Sequence, residues 1–146
     1  MPTDLGSEFS PLWRGRYPNM LPEDVPIWEK FLDLNASLFK RIFYNVRVGG
    51  VIAQSQAQDQ KMADMYFKVT AKRIDALCEL EKELWLVEVA AQPGLRAVGQ
   101  LTSYVYLWNE DPKINKPLYG VLIGQYIDAD LQKVLTFNGM RFRLST

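Results

Sequence analysis

Lys72-Arg73-Ile74-Asp75-Ala76-Leu77, followed by Leu84-Trp85-Leu86-Val87-Glu88-Val89-Ala90 and then by Gly99-Gln100-Leu101-Thr102-Ser103-Tyr104, decides how this chain is read. The first two runs have the β-branched and apolar content of strands, and each carries one carboxylate. Burying an unpartnered carboxylate is costly, so Asp75 and Glu88 each call for a cation or a hydrogen-bond donor nearby. A turn centred on Glu81-Lys82 would set Cys78 opposite Trp85, Asp75 opposite Glu88 and Arg73 opposite Ala90. Cross-strand Cβ atoms lie about 4.5–5.5 Å apart, so one divalent ion could take an oxygen from each acid.

Composition narrows the chemistry. The 146 residues are enough for one domain with a proper core, and 48% hydrophobic with 23% charged residues is ordinary globular usage. There is no histidine and a single cysteine, Cys78. Ser-His-Asp and Cys-His hydrolases and the histidine-ligated zinc enzymes are therefore excluded, as is an intramolecular disulfide. Cys78 alternates with Ile74 and Ala76 and reads as a small core residue. Hydrolysis, if any, is left to magnesium or manganese held by carboxylates. Lys+Arg and Asp+Glu number 17 each, so phosphate contact would need a local basic patch rather than a basic chain. The first residues lack a basic head and an apolar core, and no apolar run approaches a membrane span, so a soluble, cytoplasmic protein is expected.

Residues 1–22 hold four prolines and two glycines and read as an extended arm ahead of a single domain over 23–146. Phe9, Leu12, Trp13 and Tyr17 make that arm apolar. It is expected to dock on its own domain or, alternatively, on a protein partner or second copy. A helix is expected over 23–36, with Glu29 on it as a solvated charge or an extra acidic residue. A strand is expected within Leu38–Val48 and a polar loop over 51–64, with Met65 to Thr70 leading into the Asp75 strand. Leu95 to Trp108 reads as a helix with Leu95, Val98, Leu101, Val105 and Trp108 on one face and Arg96, Gln100 and Tyr104 on another. Leu118 to Gly124 is a doubly buried strand. Asp128 caps a short helix, Ala129 to Val134, and Phe137 to Leu144 is a strand or a hairpin around Asn138-Gly139.

Asp75 on one strand, Glu88-Val89-Ala90 on the next and a helix with Gln100-x-x-x-Tyr104 resemble the PD-(D/E)xK (restriction-endonuclease-like) nuclease superfamily. The likeness is to its helicase-nuclease exonuclease branch and to small phage-borne members, and it covers about residues 40–145. It implies an α/β fold with a central mixed sheet flanked by helices. It also implies metal-dependent phosphodiester hydrolysis: Asp75, Glu88 and the Val89 carbonyl on Mg2+ or Mn2+, with Gln100 and Tyr104 facing the site. The family's motif lysine is replaced by Ala90, and losing one such donor typically costs about 10²–10³ in rate.

Three explanations of Ala90 stand, in this order of preference: a pseudo-enzyme, a cation migrated to Lys72, Arg73 or Arg96, and a deliberate substitution. The bland alternative for Asp75 and Glu88 is a buried ion-pair network with those same cations. The preferred reading is a degenerate nuclease-fold protein of phage or mobile-element origin. Its catalysis is lost or weak and it is used for assembly or binding, for instance in a virion. An active Mg- or Mn-dependent DNA nuclease and a non-catalytic DNA-binding module are the alternatives.

Overall fold

The computed structural model describes residues 3–50, 60–62, 64–65 and 71–146. Its centre is a six-stranded mixed sheet: β1 (Glu8–Phe9), β2 (Arg41–Phe43), β5 (Ala76–Glu79), β6 (Leu84–Ala90), β7 (Leu118–Gly124) and β8 (Arg141–Leu144), in that spatial order. Pairing is antiparallel from β1 to β6 and parallel from β6 to β8. Parallel neighbours need a crossover. Helix α2 (Leu95–Glu110) supplies one between β6 and β7, and α3 (Ala129–Phe137) supplies the other between β7 and β8. A second, two-stranded sheet pairs β3 (Arg47–Val48) with β4 (Lys72–Arg73).

Alternation along β5 and β6 sorts the core into two layers. Ala76, Cys78, Trp85, Val87 and Val89 join Trp28, Phe31 and Leu32 of α1 (Val25–Asn35) on one face. Leu77, Leu84 and Leu86 join Leu101 and Trp108 of α2 and Leu131 and Leu135 of α3 on the other. Each fully buried side chain of this size stabilises by about 1.5–3 kcal/mol, so both helix layers are held chiefly by apolar contact. Cys78, fully buried, belongs to the α1 layer.

The hairpin turn falls where the sequence places it, with Leu80 N–H donating to the Glu83 carbonyl and Cys78 opposite Trp85. The ladder then stops at Ala76 opposite Val87. Asp75 is a bend, and Arg73 pairs with Arg47 in the small sheet instead of with Ala90. The cause is local: Ile74 N–H bonds the Val46 carbonyl, which draws the chain off the large sheet one residue before the ladder would reach Glu88.

Other expectations change too. Leu38–Val48 is not one strand but a 3₁₀ turn end (Ala36–Leu38), β2 and β3, separated by a bend at Tyr44-Asn45. Within the expected 51–64 loop, residues 60–62 and 64 are helical, as is Met65, and Gln60 Nε2 donates to Asp64 at 2.7 Å. The expectations for 51–59, 63 and 66–70 lie outside the described residues. α3 runs three residues past Val134, and Asn138-Gly139 ends it rather than turning a hairpin. Gly139 has φ +72°, its N–H bonds the Thr136 carbonyl, and Met140 N–H bonds that of Leu135, which is the Schellman pattern.

The N-terminal segment is built into this domain. β1 is the edge strand beside β2, Phe9 and Trp13 pack against the α1-side core, and Tyr17 is 5% exposed. All three rings lie against Tyr44. Leu12, by contrast, is 77% exposed. Tyr44 also accepts a hydrogen bond from Trp28 Nε1 at 3.1 Å, both residues being fully buried. Tyr44→Phe leaves that indole N–H without an acceptor, so stability should fall by about 1–3 kcal/mol, read as a lower denaturation midpoint at unchanged m-value.

Candidate functional site

At the C-terminal end of β6 the sheet opens into a cleft of about 940 Å³. Its floor is acidic. Asp75 and Glu88, each 8% exposed, line it from the β4–β5 bend and from β6. Asp75 Oδ2 accepts the Val89 N–H at 3.0 Å, taking the place of a β5 ladder partner at the point where that ladder has ended. Glu88 stands beside it, close enough for each carboxyl to act on the other electrostatically. Adjacency therefore survives the broken register, through a side-chain-to-backbone bond rather than a cross-strand pair.

Burial raises both acids well above the ordinary carboxylate range, and Glu88 more than Asp75 because the Asp75 charge repels its ionised form. Asp24 contributes as well: its charge raises both, and burial raises its own pKa. Asp24 is the residue just before α1, and its Oδ1 accepts the Ala91 N–H at 2.8 Å. The helix expected over 23–36 places Asp24 in its opening turn, with nothing in the pattern that marks it as a site residue. The signal that could have singled it out is its place beside Pro22 and Glu23, where the chain enters α1. Glu29 instead accepts the Tyr17 hydroxyl at 2.8 Å.

The wall opposite belongs to α2. Arg96, Gln100 and Tyr104, four residues apart, all line the cleft. Burial raises the pKa of the Tyr104 hydroxyl, the Glu88 and Asp75 charges add to that, and the Gln100 amide beside it acts in the opposite direction. Of the apolar stripe on α2, Leu101 and Trp108 are buried while Leu95 is 70% exposed at the helix start. Lys72 and Arg73 come in from β4 on a third side. Ala90 ends β6 at the cleft. The turn that follows closes tightly over β7: a Cβ on Gly124 would meet the Ala90 carbonyl at 3.0 Å and Pro93 Cγ at 3.1 Å.

Among the described residues no lysine or arginine comes within ion-pair distance of Asp75 or Glu88. The buried ion-pair network weighed as the bland alternative is therefore not formed there. The donor set is all oxygen, which suits a hard divalent cation. Among the described residues no third acidic, cysteine or histidine side chain joins the pair in one ligand sphere. Magnesium sites commonly use only one or two carboxylates and complete the shell with water, so the residues present fit such an ion.

A mixed sheet with one helix layer on each face, and paired acids at the end of its central strand, define a domain of the restriction-endonuclease-like type. Residues 60–145 match the family model of the endonuclease NucS C-terminal domain, and the chain belongs to that family. Among solved structures, the small subunit (R.BspD6I2) of the heterodimeric restriction endonuclease R.BspD6I is similar, with 16% identity and a TM-score of 0.44. That match covers 88% of this chain, which spans 66% of the other. No curated protein matches the chain. No helix among the described residues is long and apolar enough to cross a membrane.

The raised acids set a sign for pH dependence. A carboxyl whose folded pKa lies above its unfolded value, about 4, binds more protons folded than unfolded across the interval between them. Stability therefore falls as pH rises through that interval. In metal-free buffer the thermal midpoint should drop from pH 5 to pH 8, and Asp75→Asn should flatten the slope; a midpoint that rises over this range contradicts the assignment.

Proposed function

We propose that this chain is a nucleic-acid-binding domain of nuclease type that holds Mg2+ or Mn2+ between Asp75 and Glu88 and cleaves phosphodiesters weakly or not at all. The observation that carries this reading is a pair of adjacent, buried carboxylates with no lysine or arginine among the described residues in ion-pair reach, at the floor of a cleft with basic residues on its walls. Two such charges left alone in a dry site are expensive, and a divalent cation offsets both. Asp75, Glu88 and the Val89 carbonyl would hold it. When bound, such an ion polarises a phosphate oxygen and makes nearby water more acidic.

The chain's own groups then divide the remaining work. Arg73 and Arg96 offer fixed charge to phosphates, Arg96 from the same helix face as Gln100 and Tyr104. Gln100 and Tyr104 line the same cleft as the acids and offer an amide and a hydroxyl to a bound phosphodiester. Ala90 supplies nothing where a positioned ammonium would steady developing charge, and arginine cannot replace lysine in moving a proton. Binding is thus retained while the chemical step loses its donor.

An assembly role for residues 1–22, in a virus particle or elsewhere, has less support. Phe9, Trp13 and Tyr17 are engaged by their own domain, which leaves Leu12 as the exposed member of the group.

Calorimetry with Mn2+ should show binding that Asp75→Asn abolishes, and DNA affinity should fall steeply with salt as counterions are released. Ala90→Lys should raise cleavage of single- or double-stranded DNA by about 10²–10³. Absence of both Mn2+ and DNA binding would overturn the reading, and so would wild-type cleavage as fast as that of Ala90→Lys.

A further inference from the structure

The bend at Asp75 has to be held by something other than the sheet, because both ladders that could hold it have stopped. β5 begins at Ala76 and β4 ends at Arg73, so Ile74 and Asp75 lie between the two sheets. On the neighbouring stretch, β2 ends at Phe43 and β3 begins at Arg47, so Tyr44 lies in the matching gap. Two backbone carbonyls in these gaps, those of Tyr44 and Ile74, accept from one side chain. Asn19 Nδ2 donates to Tyr44 O at 3.3 Å and to Ile74 O at 3.4 Å. An amide NH2 has two hydrogens and can serve both carbonyls.

Asn19 sits in the N-terminal segment, outside residues 60–145 that match the family model, and it lines the cleft. The segment around it is fixed at both sides: Met20 N–H bonds the Tyr17 carbonyl at 3.2 Å, and Tyr17 is anchored to Glu29. Ile74 immediately precedes Asp75, so the carbonyl that Asn19 holds belongs to the peptide unit that joins Ile74 to Asp75. A clamp on that unit fixes where the Asp75 carboxylate projects.

We infer that Asn19 is a positioning residue that sets the Asp75 bend and thereby ties the N-terminal segment to the acidic site. It touches neither acid and acts through the backbone. The Val89 amide, which donates to Asp75 Oδ2, is the direct reporter. The amide readout is independent of metal, whereas the metal readout rests on the proposed role of Asp75 as a ligand.

Asn19→Ala should accelerate hydrogen exchange at Val89 while leaving the amides of Leu84 to Leu86 unchanged. It should weaken Mn2+ binding by about tenfold, the usual effect of losing a group that orients a ligand. Tyr17→Phe removes a neighbouring side-chain tie of the segment, that to Glu29, without touching either carbonyl, and should change neither quantity. Unchanged Val89 exchange in Asn19→Ala overturns the inference, and so does equal acceleration in Tyr17→Phe, which would mean general loosening. If Asn19→Ala does not fold, Asn19→Ser is read by the same amide comparison. Absence of Mn2+ binding in the wild type would sink the proposed function and leave the amide result to decide the role of Asn19.

Discussion

The proximity of Asp75 and Glu88 at the sheet end imposes an electrostatic cost that the surrounding structure meets in an unusual way. Among the described residues no guanidinium or ammonium is brought within ion-pair distance of the pair. A backbone N–H is used instead, that of Val89, donated to Asp75 Oδ2. Such a donor stabilises an anion without neutralising it. The site therefore stays attractive to a cation, which a salt bridge would have prevented. Glu79, at the far end of β5, shows the contrast. It too is buried, yet Lys116 Nζ stands 2.7 Å from it and Arg41 bonds it as well, so it is satisfied and purely structural.

Geometry at the end of β6 follows from that arrangement. The large sheet loses β5 as a neighbour just where Glu88 begins to face the cleft, while β7 continues beside β6 as far as Ala90 and Gly124. One side of β6 is thus free to meet side chains, and the other is held by a complete parallel ladder. α2 lays a polar stripe across the free side, and the residue that opens α1 closes the far corner through Ala91. A rigid strand with one open flank is a sound base for a site that must hold two like charges in place.

Much of this was legible in the sequence where a single physical rule governs the outcome. Leu118 to Gly124 reads as a doubly buried strand because both its neighbours are strands and both its faces meet helices. The Cys78–Trp85 register follows from one turn position, and the spacing of Arg96, Gln100 and Tyr104 follows from the helical period. What could not be read depends on backbone groups that side-chain patterns do not report. The departure at Ile74 is decided by the Val46 carbonyl, and Asp24 enters the site through the Ala91 N–H. Asn138-Gly139 misleads for a different reason: a positive-φ glycine serves a helix end and a hairpin equally, and only the extra length of α3 separates them.

The two-layer core also distributes the chain's chromophores unevenly. Of the four tryptophans, Trp13, Trp28 and Trp85 belong to the core layer between the sheet and α1, and Trp108 alone belongs to the layer on the α2 face. Arg143 stacks over Trp85 at 5.2 Å, and Tyr44 touches both Trp13 and Trp28. Intrinsic emission from this protein is therefore weighted toward the half that carries the N-terminal segment. The half that carries Gln100 and Tyr104 is nearly silent optically, and Trp108 is its sole native beacon.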